Sequence, residues 1–423
     1  MSHEIDVAIV GAGAAGLSAA RSLRGRGLSV RLLEARSRIG GRAETVVASD
    51  GHPFDRGCGW LHSADRNPLV APIRAAGFTI VEKRPDWTGQ TGDIGFSRPD
   101  QAAFNAVFDA FEARLDETTR RGIDRAASED FEPSGRWNAL MNAVSSYYNG
   151  TEFDRVSTLD YDAYVDSGVN WRVLEGYGAA ISALGSYLET RTDCPVSAIE
   201  FDGRSLRVVT PHGTLRARAV VLTLPTAILA GDGLSLPAAL EPWRAAAASL
   251  PLGLANKAVL SLAEPDRFDP EGHLFGNTDR TATGSYHLRP FGRPQIEVFV
   301  GGRCAEALER EGDGALGAFA IDELSNLFGS SIRRQLTAIA ETAWGRDPHA
   351  LGSYSHALPG AASARAQLAA PFENRIFFAG EATSPHAFST AHGAWESGAR
   401  AADEVLAALT PTGRLARKID TGN

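Results

Sequence analysis

The stretch IDVAIVGAGAAG, Ile5 to Gly16, decides how the chain is read. Its apolar run, Val7 to Val10, stops at Gly11, Gly13 and Gly16, and LSAARSLRGRG follows. That is the pattern of a strand, a tight turn and a helix. Gly11 gives the turn freedom in φ. Gly13 has no Cβ, so backbone and a pyrophosphate can approach each other, and Gly16 lets the helix lie against the strand. The free N–H groups at the helix start, around Ala14 and Ala15, favour an anion. A second strand, LSVRLLEA (28–35), ends at Glu34 and Ala35. Glu34 lies eighteen residues beyond Gly16, where a carboxylate can accept from a ribose diol. The glycine pattern alone is weak, and a βαβ unit that binds nothing is the alternative. The flanks favour a dinucleotide.

Outward from this unit comes ARSRIGGRAET, with Gly40, Gly41 and Arg42. The glycine pair permits close approach and Arg42 offers a forked donor to phosphate oxygens. An ordinary surface turn fits the same residues. Next, FDRGCGWLHSADRNPLV (54–70) sets Gly57 and Gly59 around a cysteine, just before Trp60 and His62. An aromatic and an imidazole after flexible glycines can line a pocket, but the pattern by itself favours a packed loop.

The 423 residues are enough for two domains, and 43% hydrophobic with 22% charged residues is a globular composition. A net charge of −9 argues against nucleic acid as a partner. The cysteines, Cys58, Cys194 and Cys304, give neither a metal-ligand pair nor a disulfide framework, so no metal is expected and a reducing, cytoplasmic setting is. The first strand begins at residue 5, which leaves no room for a signal peptide, and no apolar run is long enough for a membrane span. The end, TPTGRLARKIDTGN, reads as a loose polar tail.

The composition shift from Pro85 to Pro99 reads as a boundary. Beyond it, Phe104, Val107, Phe108, Phe111 and Leu115 share one helical face, as do Trp137, Leu140, Met141, Val144 and Tyr148. Such stripes are expected in a core. Residues 194–225 alternate and turn at Asp-Gly and His-Gly, which predicts a small antiparallel meander beginning near Val196, then a strand over 219–224. LPLGLANKAVLSL (250–262) reads as a strand holding Lys257. This lysine either snorkels to the surface or points into a pocket where burial lowers its pKa. A helix is expected over 315–328. NRIFFAGEATS (374–384) holds a buried strand, Ile376 to Ala379, that turns at Gly380 and Glu381, and a helix over 392–409 follows. A second strand–glycine–helix unit so far from the first suggests that both ends of the chain build one domain.

Together GAGAAGLSAA, LLEARSRIGGR, LANKAVL, the 344–359 stretch and FFAGEATS…STAHGAWESGARAA resemble the flavin-containing amine oxidases, with GCGWLHSADRNP most like the polyamine oxidase branch. The resemblance implies an α/β fold: a Rossmann-like FAD-binding domain, with a parallel sheet and a small antiparallel meander, and an inserted α+β substrate domain. Residues 1–85, 190–245 and 340–410 would form the first, 86–189 and 246–339 the second, and 411–423 the tail. It implies non-covalent FAD, because no cysteine stands in GSYSHALPG. Gly11, Gly13, Ala14, Ala15 and Gly16 would hold the pyrophosphate and Glu34 the adenosine ribose. Ala35, Arg36, Gly40, Gly41, Arg42, Gly57, Gly59 and Trp60 would line the phosphate and flavin region. Val196 would meet the adenine, Trp344 would pack near the ring system, Gly380 and Glu381 would hold the ribityl part, and Thr390 and Ala391 would present a helix N-terminus to the flavin.

By the same resemblance Lys257 is the catalytic lysine that holds a water at flavin N5, and Trp60, His62, Tyr354 and Thr390 border the substrate. Thr390 stands where a second aromatic wall would complete a two-ring cage. The implied reaction is hydride transfer from an amine carbon to flavin, giving an imine and then a carbonyl plus an amine, with O2 as acceptor and H2O2 as product. His62 is either a proton relay or a loop residue without a role. An L-amino-acid oxidase, a carotenoid-type desaturase, an amine dehydrogenase and a non-catalytic FAD-binding protein stay open. An amino-acid oxidase would need a pocket arginine, such as Arg172 or Arg289.

Overall fold

The computed structural model describes residues 4–83, 87 and 89–410. The expected tail over 411–423 and the boundary residue Pro85 lie outside the described residues.

One seven-stranded sheet organises the first half of the fold. Strand Ile5–Val10 lies between Val30–Leu33 and Gly213–Leu222, parallel to both, with Val10 opposite Leu33 and Leu222. Strand Ile376–Phe378 joins Gly213–Leu222 in parallel, with Phe378 opposite Leu222. Four strand ends, Val10, Leu33, Leu222 and Phe378, therefore stop at one edge. Ligands of open parallel sheets bind at such carboxyl ends. The expected strand over 219–224 is the last part of a ten-residue strand whose first half pairs antiparallel with Ser205–Thr210, the meander predicted above.

Strand Ile5–Val10 reads as a continuous apolar run because both its faces are covered. Val7 and Ile9 enter one core with helices Ala14–Leu23 and Ala391–Leu409, while Ala8 and Val10 enter another with Leu229, Leu240 and Leu368. The two helices cross in backbone contact, since a Cβ on Gly398 would lie 2.1 Å from the Ala15 carbonyl oxygen. Helix Tyr177–Gly185 packs in the first core too, although it lies within the 86–189 segment expected on the substrate side.

The second half is built on a five-stranded antiparallel sheet, Gly272–Phe275, Ser285–Leu288, Gln295–Gly301, Ala255–Leu262 and Leu336–Glu341 in spatial order. Helix Ala315–Phe328, which matches the predicted span end to end, covers one face. Helices Arg98–Arg120 and Asn138–Asn149 pack an aromatic cluster of Phe104, Phe111, Trp137 and Phe153. Tyr148 departs from the expected core stripe. It is 51% exposed because it faces a cavity instead of protein. No helix of the described residues is long and apolar enough to cross a membrane.

Candidate active site

A cavity of about 1400 Å³ runs from the carboxyl edge of the parallel sheet to the antiparallel sheet. That exceeds the range of roughly 300–1,000 Å³ typical of a single small-ligand site. It has room for an extended dinucleotide and a substrate.

The first turn builds one end. Gly11 has φ +101°, a conformation that glycine adopts without strain. A Cβ on Gly16 would stand 1.9 Å from the Gly11 carbonyl oxygen, so Gly16 seats the helix on the turn and does not itself line the cavity. A Cβ on Gly13 would meet protein only at 3.9 Å, at Gly40 and Gly41. The space it leaves open is cavity. No side chain caps the helix at Gly13, and its first-turn N–H groups have no intrahelical partners. Glu34 is 5% exposed and borders the cavity. Its two oxygens accept from Ala12 N at 2.7 Å and Arg36 N at 2.9 Å, which fixes the carboxylate and leaves lone pairs for a diol. An uncapped helix N-terminus, a glycine opening and a held carboxylate fit the pyrophosphate and ribose of a dinucleotide.

Ala14, Ala15, Ala35, Gly40, Gly41, Gly59 and Val196 also border this cavity, as do Gly380, Thr390 and Ala391. Arg36 pairs with Asp347 at 2.5 Å. Arg42 donates from Nη1 to Ser353 O at 2.6 Å and to Glu381 Oε1 at 3.0 Å. Burial alone would raise the Glu381 pKa, but the Arg42 charge and the Ser355 hydroxyl hold it below the ordinary value. Gly57 is required by packing, as a Cβ there would fall 1.7 Å from Arg42 O. Trp344 is 4% exposed at the cavity wall and donates from its indole N–H to Arg56 O at 3.0 Å. Thr390 caps helix Ala391–Leu409. Its Oγ1 accepts from Gly393 N at 3.0 Å and donates to Ala387 O at 2.6 Å, so its hydroxyl is spent on the cap.

Lys257 does not snorkel. Its Nζ donates to Asp55 O at 3.0 Å and Gly57 O at 2.5 Å inside the cavity. The Asp55 carboxyl is raised by burial, against the pull of Thr45, the Tyr177 N–H and the Lys257 charge. Burial likewise pushes the neighbouring Cys58 thiol up to about 12. His62 Nδ1 lies 2.8 Å from Asn170 Oδ1 and 3.6 Å from Asp166 Oδ2. With an amide oxygen and a carboxylate beside it, Nδ1 is the donor of this pair, and Nε2 makes no hydrogen bond to it. Tyr354 borders the cavity, with its hydroxyl donating to Tyr147 O.

Sequence reasoning missed most of the far wall. Tyr147, Tyr148, Tyr161, Tyr164 and Phe388 line it, with Glu112, Asp116, Asp162, Asp166 and Glu271. The density of Tyr and Asp in YDAYVD (161–166) was the available signal. Glu271 accepts from His287 Nε2 at 2.7 Å and pairs with Arg172. Burial opposes, but the His287 hydrogen bond and Arg172 charge bring its pKa to about 2. Arg172 is stacked on Trp60, 4.8 Å from its ring centroid, and does not border the cavity. Arg289 donates to Phe268 O and does not border it either.

A family model for flavin-containing amine oxidoreductases matches residues 14–406. The chain belongs to this family. It is an FAD-dependent enzyme that oxidises amines. Among its relatives, rice (Oryza sativa subsp. japonica) polyamine oxidase 4 is 29% identical, over 94% of this chain and 88% of that protein. Polyamine oxidase 2 of Arabidopsis thaliana is 27% identical, over 94% and 87%. The solved structure of wild-type putrescine oxidase bound to putrescine superposes with a TM-score of 0.78 at 18% identity, covering 96% of this chain and all of that one. At that identity the likeness speaks for the fold.

Proposed function

We propose that the chain is an oxidase for amines that carry a second positive charge, a diamine or polyamine, with O2 as the electron acceptor. One observation carries the reading. The far half of the cavity presents four carboxylates, Glu112, Asp116, Asp162 and Asp166, beside Glu271, which is paired with Arg172, and among the described residues that border it no arginine. The arginines that border the cavity, Arg36, Arg42 and Arg56, pair with Asp347, Glu381 and Glu44. An amino-acid carboxylate would find repulsion there and no arginine to pair with. The names of the polyamine oxidase and putrescine oxidase relatives support the same class. The free thiols Cys58, Cys194 and Cys304 support a reducing, cytoplasmic location.

In this reading Gly11, Gly13, Ala14, Ala15 and the helix they open would hold the pyrophosphate, with Gly16 seating that helix. Glu34 would hold the ribose, with Ala35 and Arg36 beside it and Val196 at the adenine. Gly40, Gly41, Arg42, Gly57, Gly59, Trp60, Trp344, Gly380, Glu381, Thr390 and Ala391 would enclose the rest. The bound flavin supplies a two-electron acceptor for the hydride leaving the amine carbon, and O2 takes those electrons on as H2O2. His62 Nε2 takes a proton from the incoming ammonium, since only a neutral nitrogen can push electrons toward the leaving hydride. The Asp166 charge stabilises the resulting imidazolium. Tyr354, Trp60 and Tyr148 exclude water and favour the neutral amine. The distal ammonium rests among the carboxylates. Lys257 Nζ, anchored on two carbonyl oxygens, faces the cavity between the two halves.

Anaerobic titration with monoamines, diamines, polyamines and amino acids, followed by flavin bleaching, tests the reading. Diamines or polyamines should bleach with a kcat/KM at least about tenfold above the others, the worth of one well-placed charge contact. Preference for an amino acid would refute it, and an aerobic run without peroxide would refute the oxidase half.

A further inference from the structure

A line of buried polar groups joins the amine half of the cavity to the cofactor turn, and none of its inner members borders the cavity. It begins at Asp160, on helix Thr158–Ala163. Asp160 Oδ1 accepts from Arg365 Nε at 2.5 Å, and Oδ2 from Arg365 Nη2 at 2.8 Å and Ala357 N at 2.9 Å. Arg365 then donates from Nη1 to Ser355 Oγ at 2.9 Å. The Ser355 hydroxyl donates to Glu381 Oε2 at 2.6 Å, and Glu381 Oε1 receives Arg42 at 3.0 Å. The Arg365 guanidinium also lies 3.7 Å from the ring centroid of Phe388, a wall residue.

A fully buried ion pair is a poor device for stability alone, because desolvation of both charges offsets their attraction, and apolar residues of the same volume fill the space as well. What a bidentate guanidinium–carboxylate pair supplies is fixed geometry. Here the geometry is aimed at both halves of the site. On one side, Tyr161, Asp162 and Tyr164 follow Asp160 directly and line the amine half. On the other, the remaining side-chain hydrogen bonds and the ring contact of Arg365 among the described residues go to Ser355, Ala382 and Phe388, around the turn that holds Glu381.

We propose that Asp160 and Arg365 are positioning residues that act through Ser355 on Glu381, so that the wall holding the amine and the turn holding the flavin are set by one rigid clasp. The proposal rests on the reading that Glu381 lies against the cofactor. Ser355 is the relay. Without its hydroxyl, Glu381 keeps Arg42 and the Ser389 N–H but loses the link to Arg365. The buried Arg365–Asp160 pair is left intact, so this variant does not strand a charge.

The test uses purified holoenzyme of the wild type, Ser355→Ala, Glu381→Gln and the double variant. Equilibrium dialysis with flavin fluorescence gives the FAD dissociation constant, and circular dichroism gives the unfolding midpoint. Ser355→Ala should weaken FAD binding about tenfold, the usual worth of a hydrogen bond to a charged group. The double variant should bind FAD no more weakly than Glu381→Gln, because the relay has nothing left to act on. Asp160→Asn should raise the amine KM more than it lowers kcat. Wild-type FAD affinity in Ser355→Ala, or losses that multiply in the double variant, would overturn the proposal. A lowered unfolding midpoint with unchanged FAD affinity would show the clasp to be structural only. Glu381→Gln with undiminished FAD affinity would instead overturn the placement of Glu381, which separates failure of the reading from failure of the clasp. Ser355→Ala decides the matter even where Asp160→Asn does not fold.

Discussion

Replacing Lys257 by methionine separates an anchoring lysine from a catalytic one. The side chains have similar length, so the cavity keeps its shape. Two things are lost. The carbonyl oxygens of Asp55 and Gly57, 3.0 and 2.5 Å from Nζ, lose a charged donor. The buried Asp55 carboxyl loses the positive charge that helps hold its pKa down. An acceptor left unpaired costs about 1–3 kcal/mol, less where water from the cavity reaches it. Thr45 Oγ1 and the N–H groups of Tyr177 and Gly178 still hold Asp55, so the fold survives with a small drop in stability. Glu34 and the first turn are untouched, so FAD stays.

The chemical step is a different matter. A positioned proton-handling group contributes about 10²- to 10⁴-fold, and even a tenfold loss is about 1.4 kcal/mol of transition-state stabilisation. Lys257→Met should therefore retain its flavin spectrum and slow either flavin reduction or reoxidation by at least about tenfold. Anaerobic stopped-flow reduction by the preferred amine, followed by mixing with O2, measures the two steps separately. Rates for both steps within about twofold of the wild type, with flavin retained, would refute the catalytic role and leave Lys257 as an anchor for the 55–57 loop.

Glu34→Ala frees the Ala12 and Arg36 N–H groups and removes the diol acceptor, so purified protein should carry little flavin; an undiminished flavin-to-protein absorbance ratio after gel filtration would contradict it. Amide replacements at Glu112 and Asp116 should lower kcat/KM for diamines severalfold and flatten its dependence on ionic strength, as loss of electrostatic steering does. Unchanged salt dependence would place these carboxylates off the substrate path. Glu271 has a folded pKa near 2, below its ordinary 4.5, so its contribution to stability is complete above about pH 4.5 and is lost as pH falls toward 2. The gap in thermal midpoint between wild type and Glu271→Gln should accordingly shrink from pH 6 to about pH 3, and a gap independent of pH would refute the Arg172–Glu271–His287 account. Gly398→Val places side-chain atoms where a Cβ alone would be 2.1 Å from Ala15 O, so the helices must separate, at a cost of about 1–3 kcal/mol or more in a thermal or urea unfolding assay.

What the sequence made legible was local. The Ile5–Gly16 turn and Glu34 are close enough along the chain for spacing to stand in for geometry, and the hydrogen bond from Ala12 N to Glu34 spans 22 residues of one βαβ unit. Helix Ala315–Phe328 was readable because its stripe faces only protein. Tyr148 was misread for the opposite reason. Helical period reports that a face is apolar, but not whether its partner is a side chain or a cavity. The start of strand Gly213–Leu222 was hidden because Arg216 and Arg218 face solvent in its half-exposed part and break the apolar run.

The remaining site residues depend on distance along the chain. Lys257 meets the carbonyl of Gly57 across 200 residues, and Asp160 meets Arg365 across 205. No periodicity links such pairs, because each partner sits in a separate segment with a local pattern of its own. A motif points to a residue's role only where the role is carried by neighbours in sequence, as we propose for the Gly11–Gly16 turn. The proposed substrate preference rests instead on carboxylates from helix Arg98–Arg120, the 161–166 segment and the start of the antiparallel sheet, which only the packing of those elements gathers around one cavity. The same packing explains why an arginine that looked eligible for a substrate carboxylate, Arg172, is unavailable. Glu271 neutralises it and Trp60 covers it, so the charge that would define an amino-acid oxidase is enclosed, and its carboxylate partner is what the cavity meets.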